Sequence, residues 1–144
     1  MRTKIDFETL RELLLFRRIV KWEGNKIVLD NDVCIAIEET AHDCCACASG
    51  GFVEVVLDAA ITNVSDIEYE PWAADGKWSD GEYGCMARVT IMHNQNLICK
   101  AVADADAGNG GYYYSIASFI VKVPNMEEAE CHFVGSADGR EEDK

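Results

Sequence analysis

The sequence predicts a single, mainly β domain of the α+β class, with one N-terminal amphipathic helix packed on a curled, largely antiparallel sheet of about seven or eight strands. Two patterns indicate this class: one segment near the start has helical apolar spacing, and most later apolar runs are short and separated by turn residues. The length adds a third argument, because so many strands in a chain of 144 residues seldom stay open and flat.

The helix is predicted in the segment DFETLRELLLF, residues 6–16. Asp6 supplies a side-chain acceptor for the first turn, and the acidic Glu8 suits the positive end of the helix dipole. The apolar residues repeat at helical spacing and share one face: Phe7, Leu10, Leu13 and Leu14. This face is expected to cover the sheet.

A three-stranded meander is predicted directly after the helix, at residues 18–22, 26–30 and 33–39. The segments RIVKW, KIVLD and VCIAIEE are rich in β-branched and apolar residues. The residues between them, Glu23-Gly24-Asn25 and Asn31-Asp32, have turn chemistry. The strands are therefore expected to pair in the order in which they follow one another.

Further strands are predicted beyond the cysteine-rich stretch, at residues 52–58 and 60–70. A hairpin is expected over residues 84–104, with its turn at residues 94–96, where two asparagines flank a glutamine. The segment between these strands, residues 71–84, contains two tryptophans and several glycines and is expected to form a loop.

The chain is predicted to form one globular domain over residues 1–124. A last strand is expected after the glycines that begin at Gly108, and Pro124 ends regular pairing. Residues 125–144 are rich in glutamate and are expected to form an acidic C-terminal tail. Within the tail, Cys131–Val134 has the composition of one short edge strand.

Charge and composition narrow the classes of partner. Thirteen basic and 26 acidic side chains give a formal net charge of −13, which repels a polyphosphate backbone, so no nucleic-acid partner is expected. No apolar run approaches the roughly 18 residues of a membrane span, so no membrane association is expected. The seven cysteines are an odd number without disulfide-framework spacing, which favours reduced thiols in a cytosol.

The stretch DCCACA contains the pair Cys44 and Cys47 in a C-x-x-C spacing, and His42 precedes it. These three residues are the candidate ligands of a zinc ion, but no second pair follows as structural zinc sites usually require, so no metal and no cofactor are expected. The alternatives are small residues that pack at a turn, and a redox or nucleophilic cysteine. No nucleophile and base combine in the sequence, so no catalytic residues and no enzymatic activity are predicted.

The stretch DADAGNGGYYYS, residues 104–115, combines glycines with three tyrosines. Glycine-rich backbone donates N–H groups to phosphate, and tyrosine rings stack on bases. The candidate ligand-binding residues in this stretch are Asn109, Gly110, Gly111, Tyr112 and Tyr113. The alternative is a glycine loop that enters a strand whose tyrosines alternate between core and solvent.

Two short elements give the chain a resemblance to known proteins: D-C-C at Asp43–Cys45, and N-G-Y-Y at Asn109–Tyr113 with one additional glycine. Together with the strand order over about residues 10–123, they resemble a family of small, uncharacterised phage proteins. More distantly, the chain is similar to phage counter-defence proteins of the Thoeris type.

That resemblance implies a phage protein of the host cytoplasm that forms a dimer or higher homo-oligomer. It implies binding and sequestration of a small cyclic nucleotide signal of the cyclic ADP-ribose type, without cleavage. The residues implicated are Asn109 and the neighbouring tyrosines, with Arg88 on the preceding hairpin as the candidate phosphate partner. Two alternatives remain open: an acidic phage protein that acts on a host protein, and a small zinc-binding module.

Overall fold

The computed structural model describes residues 2–72, 84–108 and 113–138. It is mainly β, with 58% strand and 7% helix, as the composition of the segments predicts. The prediction of one curled sheet with seven or eight strands is wrong, because the described residues form eleven strands in two open sheets.

The elements follow the chain in this order: β1 Thr3–Lys4, α1 Phe7–Leu14, β2 Ile19–Glu23, β3 Lys26–Leu29, β4 Cys34–His42, β5 Ala48–Val53, β6 Asn63–Val64, β7 Glu68–Trp72, β8 Gly84–His93, β9 Asn96–Asp106, β10 Ser115–Lys122 and β11 Ala129–Gly135. The first sheet has six strands in the order β1-β11-β10-β4-β3-β2. The second has five, in the order β5-β9-β8-β6, with β7 also paired to β8. Among the described pairings, only β1 with β11 is parallel.

The core lies between the two sheets. The long strands contribute alternate side chains to it, for example Ile35 and Ile37 from β4 and Ala101 and Ala103 from β9. The two sheets approach each other closely at Gly50 in β5, since a Cβ atom there would lie 2.6 Å from the Ile37 side chain of the other sheet. The absence of a side chain at this position therefore allows the two sheets to pack closely.

Helix α1 confirms the predicted amphipathic helix. The Asp6 side chain accepts a hydrogen bond from the Thr9 backbone N–H at 2.8 Å and caps the first turn. Leu10 and Leu14 are buried, and the Phe7 ring lies 6.4 Å from that of Phe119 in β10. Within the described parts of the chain, no helix has the length and apolar character needed to cross a membrane.

The three predicted strands of the meander correspond to β2, β3 and β4, and the predicted hairpin corresponds to β8 and β9. The strand predicted at residues 52–58 lies earlier, as β5, and ends at Val53 because Glu54 adopts a positive φ of 56°. The segment predicted as one strand at 60–70 divides into β6 and β7. Of the loop predicted at 71–84, residues 73–83 lie outside the described part of the chain.

The segment predicted as an acidic tail contains β11, which pairs with β10 along its length and with β1 at Ala129 and Glu130. Phe133 of this strand is fully buried and stacks on Phe119, with ring centroids 4.4 Å apart. The strand expected at Cys131–Val134 is therefore present, and it contributes core side chains.

Candidate functional site

The cysteine turn that begins at Asp43 and the end of the tyrosine stretch meet at one end of the two sheets. Asp43 follows β4, Tyr114 precedes β10, and the two strands pair antiparallel. The Asp43 backbone N–H donates to the Tyr114 carbonyl at 2.8 Å, and the Tyr114 N–H donates to the Asp43 carboxylate at 3.1 Å. These reciprocal bonds fix the D-C-C turn against the tyrosine stretch.

A buried serine joins a third segment to this junction. The Ser115 hydroxyl is fully buried and lies within donating distance of two carbonyl oxygens, 3.0 Å from that of Cys47 and 2.7 Å from that of Asp106. Three chain segments therefore converge on one hydroxyl: the start of β5, the end of β9 and the start of β10. Such a buried polar contact favours one arrangement of the loops.

Gly108 is required where the loop after β9 passes the cysteines. Its φ is +69°, and a Cβ atom would lie 2.6 Å from the Cys45 carbonyl oxygen and 2.7 Å from the Tyr113 ring. A larger residue would therefore be strained and would push the tyrosine away from the turn. The glycine at the start of the predicted binding stretch thus has a packing role.

The exposed cysteines form two separate contacts. The Sγ atoms of Cys44 and Cys45 lie 2.7 Å apart, whereas the backbone N–H and the thiol of Cys47 donate to the two carboxylate oxygens of Asp106 at 3.1 and 3.2 Å. The hydrogen bond with Cys45 is the main cause that raises the pKa of Cys44. The Asp106 carboxylate raises the pKa of Cys47.

The structure does not bring the candidate zinc ligands His42, Cys44 and Cys47 together. His42 turns to Glu39, with Nδ1 2.8 Å from the carboxylate, and Cys47 turns to Asp106. Over residues 2–72, 84–108 and 113–138, no group of three or more histidine, cysteine, aspartate or glutamate side chains is placed to hold a metal ion. The expectation that the protein takes no metal and no cofactor stays a prediction.

Of the predicted ligand-binding residues, Asn109, Gly110, Gly111 and Tyr112 lie outside the described part of the chain. Tyr113 lies against the cysteine turn, where the charge of the Cys45 sulfur and its hydrogen bond raise the pKa of the Tyr113 hydroxyl. The adjacent Tyr114 is 47% exposed. Its ring is available for stacking, while its backbone is held by Asp43.

Arg88 lies on the outer face of the five-stranded sheet, away from the core. In the strand register it is opposite Val102, which is four residues before Asp106 at the end of β9. At about 3.3 Å per residue, Arg88 is about 13 Å from the loop end of the sheet. Its guanidinium Nε is 3.5 Å from the Glu68 carboxylate. Of the described tyrosines in the stretch, neither Tyr113 nor Tyr114 lies beside Arg88.

A groove lies on the five-stranded sheet between Arg88 and Asp104, which is two residues before the end of β9. It has a volume of about 310 Å³, and its lining includes Gly50 and Gly51 of β5 and Asp104 of β9. A second hollow of about 120 Å³ adjoins it and ends at Arg88, and the two share Met86 and Val102 as lining residues. The groove was not predictable from the sequence, because it depends on the pairing of β5, β8 and β9.

The groove is acidic apart from Arg88 and the aliphatic residues at its centre. Glu68 and Glu70 of β7 border one end, and Asp104 lies at the end nearest the cysteine turn. Carboxylates are acceptors and suit donors such as hydroxyl and amino groups. A phosphate on this surface would therefore be favoured at Arg88 and disfavoured near Asp104.

The fold and the site define a class: a two-sheet β domain with a largely apolar groove, bordered by charged residues, on the outer face of one sheet and a loop junction at one end. The family model of a domain of unknown function (DUF7448) matches residues 12–120, and the protein belongs to this family. The matched segment contains the Asp43 turn and the tyrosine stretch but not β11. No curated protein and no solved structure matches the chain.

Proposed function

We propose that the protein binds a small cyclic nucleotide signal of the cyclic ADP-ribose type and sequesters it without cleavage, as a phage counter-defence protein in the host cytoplasm. One observation supports this proposal: the Asp43–Tyr114 hydrogen bonds hold the cysteine turn against the end of the tyrosine stretch, and a separate groove runs from Asp104, near the same end of the second sheet, to Arg88. A binding site assembled from distant segments is typical of ligand recognition on loops.

The charges of the groove indicate how such a ligand would lie. Its base would stack on a tyrosine ring at the loop end, since Tyr114 is exposed there. Its ribose hydroxyl groups would donate to the Asp104 carboxylate, and a phosphate would lie toward Arg88. The distance of about 13 Å from Arg88 to the loop end of the five-stranded sheet is of the size of a nucleotide.

Sequestration is favoured over cleavage by the state of the thiols. A cysteine nucleophile requires a lowered pKa, which a nearby cation or a helix N-terminus supplies. Here the exposed thiols have acidic neighbours, and the pKa of Cys44 and of Cys47 is raised. These groups therefore remain protonated at neutral pH and attack poorly.

A ligand-release assay tests the proposal. The purified protein is incubated with cyclic ADP-ribose isomers and with cyclic oligonucleotides, washed and heated, and the released compound is identified by mass. We expect an unchanged cyclic ADP-ribose isomer. Altered ligand would contradict sequestration, and no retained ligand would contradict nucleotide binding.

A matched pair of variants makes this assay specific for the tyrosine stretch. Tyr114→Phe keeps the ring and should retain the ligand, whereas Tyr114→Ala removes the stacking surface and should reduce retention about tenfold or more. Both keep the backbone N–H that donates to Asp43. Equal retention by the two variants would mean that the Tyr114 ring does not contact the ligand.

A homo-oligomer is proposed as the sequestering form, since the resembling proteins assemble and the edge strands of two open sheets favour association. Light scattering of the purified protein should give at least twice the chain mass of 15.9 kDa at micromolar concentration. A mass of one chain would contradict assembly.

A second candidate function, action on a host protein, is favoured by an apolar patch. Six exposed side chains lie along two neighbouring segments: Phe16, Val20, Trp22, Val53, Val56 and Leu57. The segments run side by side, because the Phe52 N–H donates to the Gly24 carbonyl at 3.0 Å and the Asp58 N–H to that of Ile19 at 2.9 Å. Exposed patches of this kind mark protein interaction sites.

The two functions predict opposite results in an infected, defended host. Replacing Val56 and Leu57 by serine should abolish counter-defence if the patch binds a host protein, while Tyr114→Ala should then have no effect. Nucleotide sequestration predicts the reverse. Phage yield measured for both variants, with protein levels matched, separates them.

A further inference from the structure

We propose that Cys44 and Cys45 form a chelating dithiol site for a thiophilic trivalent arsenic centre, which binds to both sulfurs at once. The two thiols are adjacent in the chain and exposed, and their Sγ atoms lie 2.7 Å apart. This inference does not rest on the proposed nucleotide binding. It also differs from the C-x-x-C pair, because it uses Cys45 rather than Cys47.

The turn explains why neighbouring side chains point the same way. In a strand, successive side chains project to opposite faces, so adjacent cysteines would be separated. Here the chain leaves β4 and turns, with the Ala46 N–H donating to the Asp43 carbonyl at 3.2 Å. The bonds between Asp43 and Tyr114 hold the base of this turn. The two sulfurs are thus presented together before any ligand binds.

The other cysteines do not join the pair. The Cys47 thiol donates to Asp106 at 3.2 Å. Cys99 and Cys131 are buried in the core, where burial raises the pKa of Cys99 to about 12 and that of Cys131 to about 11. Cys34 lies half-buried in β4. The site therefore has two sulfurs, too few for a tetrahedral zinc centre.

Geometry favours a bridging atom over a direct disulfide. Consecutive Cα atoms lie about 3.8 Å apart across a trans peptide, whereas disulfide-linked residues usually have Cα atoms about 4.4 to 6.8 Å apart. A disulfide between Cys44 and Cys45 would therefore close a strained ring that is easily reduced. Inserting one atom between the sulfurs enlarges the ring, and soft thiolate ligands select soft centres.

The reaction needs no oxidant. With an organic arsenic(III) oxide, two As–S bonds form and the As=O bond is lost. The oxygen leaves as water with the two thiol protons, and arsenic stays trivalent. Neutral thiols are the species consumed, so the raised pKa of Cys44 does not prevent the condensation.

Phenylarsine oxide is the probe, applied to the full chain and read by intact mass. We expect one phenylarsenic group per chain, removed by 2,3-dimercaptopropanol but not by the same concentration of glutathione. Cys44→Ser and Cys45→Ser should each weaken binding about 100-fold, because the second As–S bond is lost. Cys47→Ser should bind like the wild type.

A protection experiment on the wild type tests the same site without substitutions. After loading with phenylarsine oxide, maleimide should label Cys47 but not Cys44 or Cys45, as read from peptide masses. Unimpaired binding by Cys44→Ser or Cys45→Ser, or protection of Cys47, would overturn the assignment. So would about one zinc per chain that depends on Cys47, measured by elemental analysis.

Discussion

Asp43 and Tyr114 hold each other through two hydrogen bonds across 71 positions of sequence: each backbone N–H donates to the other residue, one to a carbonyl and one to a carboxylate. The pair continues the β4–β10 ladder beyond the last strand residues, His42 and Ser115. It therefore fixes both the cysteine turn and the end of the tyrosine stretch. Removing one half of the pair should loosen both.

The first prediction concerns this pair. Asp43→Ala should lower the free energy of unfolding by about 1 kcal/mol, because the Tyr114 N–H loses a charged acceptor at a partly solvated position. Hydrogen exchange at the Tyr114 amide should become faster. Asp43→Asn is the control, since it keeps an acceptor oxygen and should lose less. Urea denaturation and exchange that match the wild type in Asp43→Ala would contradict this role.

The second prediction concerns β11. Phe133→Ala should lower the free energy of unfolding by about 3 to 5 kcal/mol, because it removes a fully buried ring that stacks on Phe119. Met126→Ala is the control, since Met126 is 61% exposed and its loss should change stability by less than about 0.5 kcal/mol.

A chain that ends at Pro124 extends this test. It lacks β11 and the Phe133 ring, so it should not show a cooperative thermal transition. A truncated chain with the melting behaviour of the full chain would mean that residues 1–124 form a complete domain.

Local structure was predictable where the signal was local. The Asp6 cap with helical apolar spacing predicted α1, and Glu23-Gly24-Asn25 predicted the turn between β2 and β3. The division into two sheets was not predictable, because it depends on where the chain changes sheets, between β4 and β5. A cysteine-rich turn does not indicate whether the next strand pairs in the same sheet.

The candidate site was predictable only in part. The sequence identified the D-C-C turn and the tyrosine stretch as unusual, but their contact depends on the pairing of β4 with β10, which are separated by the whole second sheet. The resemblance named Arg88 together with Asn109; the register puts Arg88 four residues from the end of the strand pair, and Asn109 lies outside the described residues. The distance between two residues along a sheet follows only from the strand register, and no sequence motif supplies that register.

The third prediction concerns pH. The Asp138 carboxylate lies 2.6 Å from His132 Nε2 and accepts from the Gly135 N–H at 2.7 Å. Burial alone would raise the pKa of Asp138, but the hydrogen bonds from His132 and Gly135 outweigh it, and the pKa is lower than its ordinary value of 3.8. A carboxyl with a lowered pKa stabilises the fold above its unfolded pKa, and this contribution is lost as the pH falls through the folded value.

Asp138→Asn should therefore be less stable than the wild type at pH 7, by about 1 kcal/mol. The difference should vanish at a pH well below 3.8, where the wild-type carboxyl is protonated as well. Urea denaturation of both proteins across this range measures it. A difference that stays constant with pH would show that the charge of Asp138 has no part in the effect.

The fourth prediction concerns Arg88 and rests on the proposed nucleotide site. Arg88→Gln should weaken binding of cyclic ADP-ribose about tenfold to a hundredfold, because a charge-assisted hydrogen bond to phosphate is worth roughly 1.5 to 3 kcal/mol. Stability should change little, since the contact with Glu68 is an exposed ion pair at 3.5 Å. Calorimetric titration with parallel thermal melts measures both quantities.

Lys100→Gln provides the matched control for Arg88. Lys100 lies on the same outer face, two residues before Val102, and pairs with Glu54 at 2.9 Å, so its replacement removes the same charge beyond the end of the groove. If Arg88 binds the phosphate directly, Lys100→Gln should weaken binding less than about threefold, since screened charges act weakly at a distance. Arg88→Lys should give an intermediate affinity, because it keeps the charge and loses the planar fork. Equal losses in Arg88→Gln and Lys100→Gln would indicate a general effect of net charge, and unchanged affinity in both would place the phosphate elsewhere.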